Sequence, residues 1–217
     1  MSEFSCSYHL KTESVDDCVN LIKKANTTGF VFPARDGWVS FVVDVPDYVF
    51  SKSLIDANDG VLLNFINAED HGWSFEVFNN SSKVCKFESY YCEEDDEDMD
   101  EETDGDIDED IDEDLFDEPD ELSFDNIGDY ARYFTIEYNF EKCVESWDGV
   151  FDQNQSRMLD RVFAMDKNTP PKERVTAWDF ANGMGLYFYE WVSYSYISPE
   201  PPTVYGEYKD LKITEVR

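Results

Sequence analysis

The side chains best suited to acid–base chemistry lie together in one short stretch of the sequence. Glu69, Asp70 and His71 are consecutive, and Trp73 follows closely. A carboxylate that orients a histidine is the smallest unit able to act as a general base, so a hydrolase or transferase built on this stretch is one hypothesis. Adjacent residues diverge on a strand and fan outward in a turn, and Gly72 after polar residues is typical of a turn. We therefore interpret the stretch as a turn, with catalysis by Glu69, Asp70 and His71 as the alternative.

Other catalytic and cofactor motifs are missing from the sequence. It contains no nucleophile elbow, phosphate-binding glycine loop, dinucleotide fingerprint or HExxH pair. The five cysteines are widely spaced without a CxxC pair, and His9 and His71 are the two histidines, which argues against a structural zinc site. We therefore expect no cofactor and no specific metal site.

A second candidate site is the acidic tract, residues 93–121, in which 21 of 29 residues are Asp or Glu and none is Lys or Arg. Asp104, Asp106 and Asp108 alternate as they do at the start of an EF-hand calcium loop. That motif then requires Gly where Glu109 stands and Glu where Leu115 stands. The pattern therefore predicts weak, nonspecific binding of divalent cations and no calcium loop.

The charge density of the acidic tract supports two interpretations. So many carboxylates with few aromatic residues favour a disordered, solvated insert. Against this, Met99, Ile107, Ile111 and Leu115 lie at multiples of four residues, as in the apolar stripe of a helix. Repulsion between like charges opposes that helix in isolation, but a basic partner would remove the repulsion. The predicted partner-binding residues are Asp104, Asp106, Ile107, Asp108, Asp110, Ile111, Asp112, Asp114 and Leu115.

The charge of the whole chain limits its partners. The chain has 50 acidic and 17 basic residues, a formal charge of −33. With the tract set aside, 29 acids remain against 17 bases, so the rest still carries −12. Such a field repels nucleic acids and anionic membranes and attracts basic proteins.

The leading hypothesis is a non-catalytic acidic protein that binds and neutralises a basic protein, as an immunity or inhibitor protein of a nuclease toxin or as a mimic of nucleic-acid charge. A structural or regulatory domain with a solubilising acidic insert is a further alternative.

The compartment is predicted from the N-terminus and the cysteines. The sequence opens without the basic and apolar regions of a signal peptide, and an odd number of scattered cysteines is typical of a reducing environment. No apolar run approaches the ~18 residues that a membrane-spanning helix needs. We therefore expect a soluble, cytoplasmic protein.

Hydrophobic patterns predict an α+β fold with a mainly antiparallel sheet, a few packed helices and an aromatic-rich core. Residues 1–92 form the N-terminal half, with an opening strand from Phe4, a helix capped by Ser14 and stopped near Gly29, a hairpin around Asp36 and Gly37, a short helix and three more strands. The acidic insert, residues 93–121, separates this half from residues 122–217, which either stand alone or join the first half in a single domain.

The C-terminal half has weaker signals. We predict a helix capped by Ser123, a strand near residues 134–140, two short helices within residues 140–165 and a longer helix that begins at Thr169. Residues 186–197 are rich in Tyr, Phe and Trp, and we predict an aromatic strand there, followed by a closing strand near residues 211–216.

Overall fold

One antiparallel sheet of eight strands organises the protein. The computed structural model describes residues 4–46, 50–68, 71–92, 135–190, 192–198 and 211–217. The strands lie in the spatial order β7-β6-β5-β4-β1-β3-β2-β8. Their bounds are β1 (Phe4–Leu10), β2 (Gly29–Arg35), β3 (Trp38–Val43), β4 (Val61–Ala68), β5 (Gly72–Asn79), β6 (Ser82–Cys92), β7 (Thr135–Lys142) and β8 (Thr214–Val216).

Five helices of the described chain accompany the sheet, which confirms the α+β prediction. They are α1 (Val15–Lys24), α2 (Lys52–Ala57), α3 (Gln153–Phe163), α4 (Ala177–Met184) and α5 (Tyr194–Ile197), with a 3-10 turn at Pro171–Glu173. Strands from both sides of the acidic tract belong to the one sheet, because β7 pairs with β6 and β8 pairs with β2.

Strand β1 shows how the two faces of the sheet are used. Tyr8 and Leu10 point to the face covered by α1 and α2, where α1 buries Cys18, Leu21 and Ile22. The alternate residues of β1 point to the other face, which α3 and α4 cover. Both faces are therefore buried at the centre of the sheet.

The second face holds the larger aromatic cluster. Phe180 of α4 stacks on Phe75 of β5, with ring centroids 4.1 Å apart, and also contacts Trp73 and Phe65. On the same side, Trp38 donates its indole N–H to the backbone oxygen of Met184 at 2.9 Å. These contacts join the C-terminal helices to strands formed by the first 92 residues, and the aromatic-rich core is confirmed.

The N-terminal predictions hold with one change. Ser14 caps α1 by accepting a hydrogen bond from the backbone N–H of Asp17. Asp36 and Gly37 adopt positive φ angles of 48° and 83°, as a tight hairpin turn between twisted strands requires. The predicted helix stop at Gly29 is wrong, because α1 ends at Lys24 and Gly29 begins β2.

Three predictions for the C-terminal half are corrected. Residues 140–165 contain one helix, α3, because the chain turns at Gly149 with φ 77°. The helix expected from Thr169 begins later, at Ala177, because Thr176 provides a complete capping box with Asp179. The strand near residues 134–140 and the closing strand are confirmed as β7 and β8. The helix predicted at Ser123 lies outside the described residues.

The predicted aromatic strand at residues 186–197 is wrong. The described part of this segment is irregular and ends in the short helix α5. Other elements hold this segment in place. The ring of Phe188 stacks on that of Phe32 with centroids 4.9 Å apart, and the backbone oxygen of Val192 accepts from the backbone N–H of Cys6 at 2.8 Å. A run of consecutive aromatic residues has no period of two, so it does not specify a strand.

Candidate functional site

The face that carries α1 and α2 continues beyond them across β5, β6 and β7 as a polar surface. We call it the polar sheet face. The strand register places its side chains on one side of the sheet, since Glu76 lies opposite Lys86, Lys86 opposite Glu141, and Glu88 opposite Asn139. Its members are Ser74, Glu76, Lys83, Lys86, Glu88, Tyr90, Glu137, Asn139 and Glu141.

Glu88 is the centre of a hydrogen-bonded network on this face. Lys86 Nζ lies 2.6 Å from Glu88 Oε1 and 3.5 Å from Glu76 Oε1. Glu88 Oε2 accepts from the hydroxyl of Tyr90 at 2.9 Å and from the side-chain amide of Asn139 at 3.0 Å. Three side chains from β6 and β7 therefore hold one carboxylate in a fixed orientation.

The network keeps its charged groups ionised. Partial burial acts to raise the pKa of Glu88, but the hydrogen bonds from Lys86, Tyr90 and Asn139 and the positive charge of Lys86 outweigh it and hold the pKa below its ordinary value. For Lys86, burial acts to lower the pKa, and the hydrogen bond and charges of Glu88 and Glu76 raise it overall. A general acid or base works best with a pKa near the working pH, so this arrangement favours ionic recognition over proton transfer.

A groove of about 350 Å³ lies beside the network. Phe50 and Ile66 supply apolar wall, while Glu76, Lys86 and Tyr90 supply polar groups. The groove thus combines apolar contact area with fixed charges, a combination typical of binding sites.

The predicted catalytic turn lies at one end of this groove. His71 is exposed, follows β4 directly in the turn before β5, and lines the groove together with Glu88 and Tyr90. Its backbone oxygen accepts from the backbone N–H of Tyr91 at 3.4 Å. Glu69 and Asp70 lie outside the described residues, so catalysis by Glu69, Asp70 and His71 stays a prediction.

The predicted partner-binding residues, from Asp104 to Leu115, also lie outside the described residues. The described strands nevertheless fix the points where their segment leaves and rejoins the sheet. β6 ends at Cys92, β7 begins at Thr135, and these two residues are register partners. The turn containing His71 lies at the same end of the sheet, because Gly72 lies opposite Tyr90. Cys92 and Thr135, which flank the acidic segment, therefore lie at the same end of the sheet as the predicted catalytic turn.

The structure also contains a buried histidine whose role the sequence does not reveal. His9 is fully buried in β1, with Nε2 2.9 Å from the hydroxyl of Ser7 and Nδ1 2.8 Å from the hydroxyl of Ser40. Burial lowers the pKa of His9 to about 3, so the ring is neutral at physiological pH. Substrate cannot reach a fully buried ring, and we assign His9 to the core. The alternation of Ser5, Ser7 and His9 was the available signal for a shared polar row.

Two kinds of feature are absent from the described residues. Those residues hold no group of three His, Cys, Asp or Glu side chains that would bind a metal ion. Among the described helices, none has both the length and the apolar character to cross a membrane. Comparison of the chain with protein-family models, with curated proteins and with solved structures found no match.

Proposed function

We propose that this protein is a non-catalytic acidic binding protein that captures a basic protein. The observation that carries the proposal is the anchoring of residues 93–134, which include the acidic tract, by the register pair of Cys92 and Thr135. Chain connectivity therefore ties the acidic tract to the end of the sheet at which Cys92 and Thr135 lie, and the polar sheet face includes residues of the same two strands. A basic partner attracted by the tract is thereby brought to this end of the sheet.

The electrostatics favour fast, selective capture. A formal charge of −33 gives a long-range field that attracts basic proteins and excludes nucleic acids, and the field extends over about 10 Å at ~0.1 M salt. Complementary charge raises the association rate and selects against acidic competitors more than it raises affinity. Specificity must therefore come from short-range contacts with groups such as the apolar stripe of Ile107, Ile111 and Leu115.

Two partner classes fit this chemistry. A nuclease toxin carries a basic surface for its substrate, and an immunity-type inhibitor neutralises it by covering that surface. A DNA-binding protein would be occupied in the same way by a mimic of phosphate charge. The free thiols of Cys18 and Cys85 support the cytoplasm as the proposed compartment, because a reducing environment preserves them.

The decisive experiment compares three forms of the chain in a low-salt pull-down from native lysate. They are the intact chain, a chain lacking residues 93–121, and a chain in which that tract is scrambled at constant composition. We expect the intact chain to capture a basic protein, and the deletion to lose it while keeping its circular dichroism spectrum. Retention of the partner by the deletion variant would refute the role of the tract and favour the solubilising-insert alternative.

Binding measurements with the purified partner then distinguish long-range electrostatic attraction from short-range contacts. Titration calorimetry should show affinity that falls steeply as salt rises from ~0.05 to ~0.3 M, and salt-independent affinity would contradict the proposal. Replacement of Ile107, Ile111 and Leu115 by Ser keeps all carboxylates. If this variant binds like the intact chain while the scrambled tract also binds, only the field matters and the apolar stripe is accidental.

A further inference from the structure

We propose that the outer edge of β7 is the docking site for an extended, basic segment of the partner, which adds to the sheet as a further strand. The inference rests on the proposed capture of a basic protein and adds the place and geometry of contact. Strand addition at a sheet edge gains affinity from main-chain hydrogen bonds and specificity from alternate side chains.

The backbone of β7 is suited to strand addition. It is the terminal strand of the sheet and pairs with β6 through eight consecutive register pairs, from Cys85 opposite Lys142 to Cys92 opposite Thr135. That pairing contains no bulge, so the strand is straight enough to act as a template. Within the described chain, β6 is its sole strand partner. One row of backbone N–H and C=O groups of β7 therefore faces outward.

The two edges of the sheet differ in a way that makes β7 distinctive. The opposite edge strand, β8 (Thr214–Val216), has three residues, and short edge strands discourage further pairing. β7 has eight residues and contains neither Pro nor Gly. Its one lysine, Lys142, stands at its end with Nζ 4.2 Å from the ring centroid of Trp147. Shortness, Pro and a bulge, which often prevent edge pairing, are thus missing from β7, and the exposed charges in its middle are all acidic.

The side chains of β7 specify what kind of strand fits. Glu137 and Glu141 are exposed and point to the polar sheet face, with Asn139 between them. Tyr138 and Phe140 are half-buried and point to the opposite face, where they contact Phe87. An added strand with Lys or Arg at alternate positions would place these opposite the carboxylates. Its apolar or β-branched residues would lie beside the two rings.

The same charges favour a basic strand over a second copy of this chain as the occupant. A two-fold pairing of β7 with itself centred on Asn139 places Glu137 opposite Glu141 of the copy, twice. Like charges directly opposite each other destabilise a strand pair, and the charge of −33 on each copy adds repulsion. The edge is therefore guarded against self-association by the carboxylates that attract a basic strand.

The test uses the full chain and two capped synthetic peptides of identical composition and about eight residues. In one peptide Lys alternates with Ile and Thr, and in the other the lysines form a block. We expect the alternating peptide to bind about tenfold more tightly, because it alone aligns its cations with Glu137 and Glu141. It should also slow amide hydrogen exchange of β7 in NMR spectra, which identifies the edge directly.

Matched variants locate the effect. Glu137→Gln with Glu141→Gln should remove most of the tenfold preference, whereas Glu173→Gln with Glu190→Gln removes the same charge from exposed positions elsewhere and should preserve it. A third peptide, N-methylated at alternate amides, should lose the preference as well. Dimerisation of the chain through β7 in sedimentation runs would overturn the assignment to a basic strand.

The outcomes distinguish this inference from the proposed function. If both peptides bind equally, weaken with salt and leave β7 exchange unchanged, the edge proposal fails while capture of basic partners stands. If neither peptide binds and the pull-down captures no basic protein, both fail. Protection of β7 amides by the alternating peptide, lost in the Glu137 and Glu141 variant, supports both.

Discussion

The buried imidazole of His9 makes a quantitative prediction about acid stability. In the unfolded chain His9 titrates near its ordinary pKa of 6.5, whereas burial lowers its folded pKa to about 3. Between these values the unfolded state binds a proton that the folded state does not, so stability falls as the pH drops below 6.5 and the loss levels off near pH 3.

The expected magnitude follows from the separation of the two pKa values. Between the two pKa values, each pH unit below 6.5 lowers the free energy of unfolding by about 1.4 kcal/mol. At pH 5 the unfolded chain is about 1.5 units below its pKa, which gives a loss of about 2 kcal/mol relative to pH 7.5. This is a large share of the ~5–15 kcal/mol stability typical of a domain.

Urea denaturation at pH 7.5 and pH 5 measures the effect in three proteins. His9→Gln removes the titration, so its free energy of unfolding should change with pH by about 2 kcal/mol less than that of the intact chain. The absolute stability of the variant is not the readout, because loss of a hydrogen bond to Ser7 or Ser40 lowers it at both pH values. His71→Gln makes the same substitution at an exposed position and is the matched control.

A direct titration would refute the reasoning most simply. If the imidazole resonances of His9 in the folded protein titrate near pH 6.5, burial does not suppress protonation. Identical pH dependence of the intact chain and His9→Gln would lead to the same conclusion.

Three further substitutions test, by urea denaturation, the fold that carries the site. Phe180→Ala removes the ring stacked on Phe75 and should cost about 3–5 kcal/mol, and a cost below about 1 kcal/mol would contradict its central place in the aromatic cluster. Gly72→Ala should cost at least about 2 kcal/mol, because φ is 112° and the added methyl collides with the backbone oxygen of Ser89; an unchanged midpoint would contradict this. The Asp152 carboxylate caps α3 by accepting from two backbone N–H groups, so Asp152→Ala should lower the free energy of unfolding by about 1 kcal/mol. Asp152→Asn keeps an acceptor oxygen and should retain most of that stability.

The sequence predicted correctly those helices and turns that are determined by neighbouring residues, such as a capping side chain or a turn-forming pair. The cap at Ser14 and the acids of the first turn were sufficient for α1, and the Asp36–Gly37 pair was sufficient for the hairpin. The strand predicted for the aromatic segment that includes Phe188 is wrong, because contacts with distant strands place its rings. A segment without a clear period carries little information about its own conformation.

The site was less predictable because it depends on strand register. Glu76, Lys86 and Glu88 are visible in the sequence as charged residues within strands, but their grouping requires β5 and β6 to pair in one register. Asn139 joins the network from beyond the acidic tract, about fifty residues further along the chain. The environment of His9 likewise depends on strand pairing, because Ser40, whose hydroxyl lies 2.8 Å from Nδ1, comes from β3.

The order of elements along the chain has a consequence for synthesis. Six of the eight strands in the described part of the chain precede residue 93, whereas α3 and α4, which cover Trp73, Phe75 and Phe87, follow residue 150. A growing chain therefore exposes an aromatic sheet before its cover exists, and such surfaces aggregate. The next residues to be synthesised are the acidic tract, and we expect their charge to keep neighbouring incomplete chains apart. A purified chain of residues 1–134 should sediment as aggregates when the tract is replaced by a neutral Ser- and Gly-rich segment of equal length, and equal solubility of the two would refute this protective role.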